Sequence, residues 1–376
     1  MKFRQTWCSD QHTVHQITPS EHVLNNLTTF LRKENDLTKV DMVLFGGDWF
    51  ERMIELPNRE AHVVLEWVRK FLDYAYKANP KIVVIWLEGT SSHDWGQPKH
   101  FPMLAPEGMD VRYIDTLCIQ TFEHLDNLSI MFVPDNMGAI TPDDVWDKAL
   151  GVLAESGLDK VDQIAFHGAF EFQMHTNARH KAHNLERWES IVEYCILAGH
   201  IHTPVQKGKL YTSGSFDRTR HGEEHPKGGY VIDLDLKTKE FKPVFWENKN
   251  ALPYLTINVD QNIDPAELIA LVHSFIDKRK LPMHSQLRIM GGAAAVVNPM
   301  ISVLAKEYPQ FGFKAENEKN DDEIVEEALF ETKVYSGTSL TKANIKSSAA
   351  PYVAPKFAAM DIPMSEAEAV LEEFLV

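Results

Sequence analysis

Two histidines one residue apart, His200 and His202, follow the apolar run Cys195-Ile196-Leu197-Ala198-Gly199. The run reads as a buried strand, and the glycine as a turn that throws both imidazoles into one place. Such a pair can reach two neighbouring metal ions. Four further patches share the layout, with metal-suited residues just past a strand-like run. Asp10 and His12 follow Phe3 to Cys8; a carboxylate and an imidazole two apart on an extended chain point the same way and suit one ion. Asp48 follows Val43 to Phe45 and the Gly46-Gly47 pair, where one carboxylate can bridge two cations. His93, a candidate acid, and Asp94, placed to orient its ring, follow Ile82 to Leu87 and the turn Gly89-Thr90-Ser91-Ser92. His167 follows Ile164 to Phe166. Singly, each patch also fits a polar turn, an N-cap or a structural histidine. Jointly, at strand ends where α/β folds build their sites, they point to a metal centre. Oxygen and nitrogen donors without thiolate suit Mn²⁺, Mg²⁺, Fe²⁺ or Zn²⁺ and not a Cys-type structural zinc.

The elements that must position these patches alternate through residue 250. Strands are expected over 40–45, 81–87, 129–133, 163–166 and 194–198, a helix over 60–78, and hairpins after Lys207. Such alternation predicts sheets covered by helices. From Pro253 the pattern restarts. A strand over 254–259 precedes Asp264-Pro265-Ala266-Glu267, which reads as an N-cap, a first-turn proline and a capping-box Glu. A helix to about Lys280 and a strand over 286–290 complete a small α+β module. Residues 315–331 are acidic and read as a surface helix; 336–363 are rich in Ser, Thr, Ala and Pro and read as a linker. Ser365 to Glu368 form a second capping box, heading a helix with Val370, Leu371, Phe374 and Leu375 on one side. That helix docks on a partner or folds back.

The 376 residues suggest more than one domain, and 44% hydrophobic content is that of a globular chain. No run of about 18 apolar residues is present to span a membrane, and the N-terminus lacks the apolar core of a signal peptide. Cys8, Cys118 and Cys195 show no paired spacing, which fits a reducing cytosol; a cytoplasmic protein is expected, with Cys8 and Cys195 as core thiols. The net charge of −16 speaks against a strong electrostatic grip on nucleic acid by this chain alone. It does not exclude a nuclease, because bound cations would offset the site carboxylates.

The order of patches, D-x-H, G-D-x-x-(D/E), a G-N-H-D-like turn, a lone His and G-H-x-H, resembles the calcineurin-like metallophosphoesterase superfamily over residues 1 to about 250. Within it the chain is most similar to SbcD-type nuclease subunits of double-strand-break repair, including those of phages. The turn Gly214-Ser215-Phe216-Asp217-Arg218, then Glu223 or Glu224 and Lys227-Gly228-Gly229-Tyr230, carries the likeness past the last His pair. The resemblance implies a four-layer sandwich of two mixed sheets flanked by helices (1–250), a small α+β cap (251–333), and a linker with a helix that binds an SMC-like, SbcC-type ATPase (334–376). It implies two divalent ions, Mn²⁺ foremost. Asp10, His12 and His202 would hold one, His167 and His200 the other, and Asp48 would bridge them. His93 would stand beside the scissile phosphate. Glu51 falls where the family often has Asp. Ser92 falls where the family has an Asn that ligates the second ion, so weaker second-site loading is expected, with Ser92, Thr90 or water filling the gap. Arg218 and Arg220, or the cluster Arg179, His180, Lys181 and His183, are candidate phosphate contacts. The expected activity is metal-dependent DNA hydrolysis, exo- or endonucleolytic, in recombination or repair, with homodimerisation open. A small-molecule phosphatase or cyclic phosphodiesterase, and a degenerate scaffold for the ATPase, are the competing readings.

Overall fold

Unbroken runs of Val, Ile, Leu and Phe mark strands buried on both faces, and they supply the centres of two sheets. The computed structural model describes residues 2–54, 58–135, 141–174 and 182–316. The chain divides into two compact units, Met1–Asn317 and Glu318–Val376. The expected linker and terminal helix, and most of the acidic stretch, lie outside the described residues.

The first strands are β1 (Lys2–Cys8), β2 (Met42–Phe45), β3 (Val83–Leu87), β4 (Asp110–Ile114) and β5 (Cys118–Phe122). Then come β6 (Leu128–Val133), β7 (Val161–His167), β8 (Val192–Gly199), β9 (Val205–Lys207) and β10 (Leu210–Thr212). The last are β11 (Gly228–Asp235), β12 (Glu240–Glu247), β13 (Tyr254–Val259), β14 (Gln286–Gly291) and β15 (Gly312–Glu316). The helices are α1 (Ser20–Thr28), α2 (Arg59–Ala78), α3 (Pro142–Glu155), α4 (Leu185–Ser190), α5 (Pro265–Arg279) and α6 (Ala294–Glu307).

One mixed sheet runs β12-β11-β1-β2-β3-β4 and the other β5-β6-β7-β8-β10-β9. In each, the central strands are parallel and the antiparallel pairs lie toward the edges. Three cores fill the layers. Val64, Val68, Phe71 and Leu72 of α2 pack with Val23 and Leu27 of α1 on the outer face of the first sheet. Phe3, Trp7, Leu44 and Ile85 meet Ile130, Phe132 and Leu197 between the sheets. Val145, Ala149 and Leu153 of α3, with Trp188 of α4, cover the outer face of the second sheet. The result is a helix–sheet–sheet–helix α/β sandwich. Fully burying a side chain such as Leu44 or Ile85 contributes about 1.5–3 kcal/mol.

The third sheet, β13-β14-β15, corrects the expectation of an α+β module. All its strands are parallel, and α5 and α6 are the crossovers between them, so it is a small α/β unit with its own core of Ile257, Leu268, Val272, Leu287, Ile289, Val297 and Leu304. Asp264 caps α5 as expected, accepting from the backbone N–H groups of Ala266 and Glu267. Acidic Glu316, read as the start of a surface helix, instead ends β15.

Candidate metal centre

Asp10 lies past β1, Asp48 past β2, Thr90 and His93 past β3, His167 at the end of β7, and His200 past β8. These strands are parallel within their sheets, so their carboxyl ends share one edge of each. Cross-sheet bonds join those edges. His167 Nδ1 lies 2.6 Å from the Gly46 carbonyl, and the His200 N–H donates to the Asp10 carboxylate at 2.9 and 3.1 Å. The backbone there is strained: Asp10, His12, Asp48 and His200 all have φ between 46° and 87°. Each such residue costs about 1–3 kcal/mol and persists where the surroundings over-determine it, which is the signature of a site. Glycines make room. A Cβ on Gly89 would stand 2.1 Å from the Asp48 nitrogen, and one on Gly47 (φ +95°) 2.3 Å from His167 Nδ1.

Among the described residues, three groups of donor atoms result, each mutually within 4.8 Å: Asp10, His12 and His202; His12, Glu51 and His93; Asp48, His167 and His200. The Nε2 atoms of His12 and His202 face one another at 2.9 Å. Two imidazoles aimed at one point, with Asp10 3.9 Å from His202, fit the span of two ligands on a cation with bonds of about 2.0–2.1 Å. The other ring nitrogens are held from behind. His167 Nδ1 meets a carbonyl, His202 Nδ1 lies 2.6 Å from Glu223, and Glu51 lies 2.7 Å from His12 Nδ1, outside good hydrogen-bonding angles. Such partners fix the tautomer and free Nε2 for a metal. The donors therefore fit divalent ions.

Burial pulls His167 down, but the Asp48 charge and contact, with Asp10 and Asp135 behind, carry it well above its ordinary value. Burial likewise opposes protonation of His12, and Glu51, Asp48 and Asp10 overcome it. Burial, then the His167 charge, lowers His200, leaving a neutral ligand. His12 and His167 thus carry the protons that would compete with a cation. Metal uptake must expel them, so Mn²⁺ affinity rises with pH above 6.5, by up to about 1.4 kcal/mol per pH unit for each proton displaced. In the metal-free chain these raised groups stabilise the fold fully below pH 6.5, and that stability is lost as the pH climbs through their native pKa values. Calorimetry in buffers of different ionisation enthalpy counts the protons. Uptake without proton release and with flat affinity between pH 6.5 and 8 would refute this.

Glu223 is a residue the sequence suggested only by likeness. Burial pushes its carboxyl up, but His202 and Lys227 hold it well below the usual range. The buried Lys227 ammonium bonds the His202 carbonyl at 3.1 Å, Ser215 Oγ at 2.7 Å and Glu223 at 3.1 Å. Replacing Glu223 by Ala loosens the His202 ring and weakens the first ion roughly 10–100-fold; Mn²⁺ titration of this variant at wild-type affinity would sink the assignment.

Four expectations are corrected. Asp94 does not orient His93. Its carboxylate accepts from the N–H groups of Phe50 and Gly89, both at 2.9 Å, and burial with the Asp48 and Glu88 charges pushes it up to about 8. His93 Nδ1 instead meets the Glu51 carbonyl at 2.8 Å. Ser92 is exposed, its carbonyl accepting from Trp95 Nε1, and Thr90 stands in the second cluster in its place. Arg218 spends its guanidinium on the carbonyls of Glu223 and Ala251, whereas Arg220 is exposed beside Glu223. His183 packs on Phe166 and Trp188, and burial lowers it to about 4, so it carries no charge for phosphate; Arg179, His180 and Lys181 lie outside the described residues. Asp135, past β6, was missed. It is exposed, and its charge is among those that favour the protonated form of His167.

No family model and no curated protein matches the chain. Among solved structures, a glutamine-dependent NAD⁺ synthetase from Acinetobacter baumannii in complex with adenosine diphosphate is 11% identical, with a TM-score of 0.32, over 93% of this chain and 70% of that one. A likeness of that size carries no argument about fold or function.

Proposed function

We propose that the chain is a two-metal-ion phosphodiesterase acting on nucleic acid. The observation that carries this reading is the meeting of two donor clusters, one around His12 and His202 and one around Asp48 and His167, at the strand ends of both sheets. Asp10, His12 and His202 would hold one ion and His167 and His200 the other, with Asp48, grouped with the second pair, shared between them as the resemblance implies. Two such ions supply charge neutralisation at the phosphoryl group and a water nucleophile active at neutral pH. Mn²⁺ is the cation we favour, with Mg²⁺, Fe²⁺ and Zn²⁺ as alternatives for oxygen and nitrogen donors. His93, held through Nδ1, keeps Nε2 for a proton to the leaving oxygen.

DNA as substrate, an SMC-like ATPase as partner and a place in recombination or repair follow from the family resemblance. No helix of the described residues is long and apolar enough to cross a membrane. The net charge of −16 favours the second reading, a small-molecule phosphodiester. Assays with Mn²⁺ on single-stranded DNA, linear duplex, plasmid and bis(4-nitrophenyl) phosphate separate the two. Turnover of DNA above the aryl diester supports the nuclease. Turnover of the aryl diester alone supports the small-molecule enzyme, and hydrolysis of neither removes the phosphodiesterase proposal.

A further inference from the structure

The second cluster has a fourth member. Thr90 Oγ1 stands 3.3 Å from Asp48 Oδ2, 3.5 Å from His167 Nε2 and 3.3 Å from His200 Nδ1. His167 Nε2 is in turn 3.3 Å from Asp48 Oδ1. These contacts are all longer than the usual 2.7–3.2 Å of a good hydrogen bond. A hydroxyl also has only one proton to give, and here Asp48 Oδ2, at 3.3 Å, is the acceptor it faces. The remaining lone pairs are left for the cluster. Hydrogen bonding therefore accounts poorly for an oxygen equidistant from one carboxylate and two imidazoles. Coordination accounts for it well. Four tetrahedral ligands with bonds of about 2.0–2.1 Å lie roughly 3.4 Å apart. The Thr90 backbone is fixed as well, its N–H gripping Asp48 Oδ1 at 2.6 Å.

We propose that the Thr90 hydroxyl is a ligand of the second metal ion, in the place where the resembled family uses an Asn amide. The inference rests on the two-metal reading above. A neutral hydroxyl is a hard donor, so the second site prefers Mn²⁺ or Mg²⁺ over softer ions, and it loads after the first.

The test is calorimetry and metal analysis of the full chain with Mn²⁺ alone, with electron paramagnetic resonance to distinguish a coupled pair from an isolated ion. Wild type takes two ions and shows the coupled signal. Thr90→Val keeps the shape and removes the oxygen; it retains one ion and binds the second at least tenfold more weakly, with the isolated-ion spectrum. Thr90→Ser keeps the pair, and Ser92→Ala binds both as wild type does. Thermal unfolding checks each variant. Should Thr90→Val unfold, Thr90→Ala decides, since it removes the same oxygen without a branched side chain in the turn. A second ion bound with unchanged affinity in Thr90→Val, or in Thr90→Ala where that variant decides, overturns this assignment while leaving the two-metal reading standing. A wild-type chain that binds no Mn²⁺ overturns both.

Discussion

Asp48→Asn is expected to remove hydrolysis by about 10²–10³-fold or more, on the scale of losing one preorganised charge-stabilising group, and to cut Mn²⁺ binding from two ions to at most one. Asn is the informative substitution. Asp48 is buried with φ near +50°, a conformation Asn tolerates better than most residues, so the backbone turn survives. The side-chain oxygen still accepts from the Thr90 N–H. What disappears is the negative charge. That charge does most among the neighbours that together overcome the burial of His167, and it contributes to holding a proton on His12, one residue in each cluster, so its loss is felt on both sides of the centre. In the metal-free chain His167 then loses its proton, and the alkaline loss of stability described above shrinks. Circular dichroism matching the wild type would show that the fold is kept. An Asp48→Asn protein that binds two Mn²⁺ ions and hydrolyses phosphodiesters normally would remove Asp48 from the site.

The residues that the sequence placed well are those whose local surroundings decide their structure. Val43 to Phe45, Val83 to Leu87 and Ile164 to Phe166 are apolar on every residue because both faces are covered, and the polar residue that follows each run is forced to the sheet edge. Asp10, Asp48, His167 and His200 were legible for that reason. Asp135 obeys the same rule, standing just past Leu128–Val133, and was within reach of the same reasoning. Thr90 was named beside Ser92 and water as a substitute for the family's Asn, but the sequence could not choose among them, because a hydroxyl in a polar turn acquires meaning only from His200, which is 110 residues away in the chain. Asp94 misled through adjacency: its carboxylate turns away from its neighbour His93 to bond the Phe50 and Gly89 backbones. Arg218 misled because the carbonyl of Ala251 that occupies it comes from a distant segment. Helix α6 carries Pro299 in its interior and opens without a side-chain cap, so both ordinary signals were missing.

His93→Ala is expected to lower turnover by about 10²–10⁴-fold, the range for a positioned acid or base, while both ions stay bound. The geometry separates His93 from the ligands. Its ring stands edge-on to His12 with centroids 5.0 Å apart, close enough to share a substrate oxygen, yet its Nδ1 is engaged by the Glu51 carbonyl. The side chain is 30% exposed, whereas His12 and His167 are buried; a proton donor must reach an incoming substrate, and a ligand need not. Two diesters with different leaving groups turn this contrast into a measurement. An aryl diester, whose leaving oxygen needs little protonation, should lose far less turnover in His93→Ala than a DNA diester, whose sugar alkoxide needs the proton. Equal losses for the two leaving groups would make His93 a positioning residue for substrate and not its acid. Loss of an ion in the variant would instead make it a ligand, drawn in through the grouping of His12, Glu51 and His93.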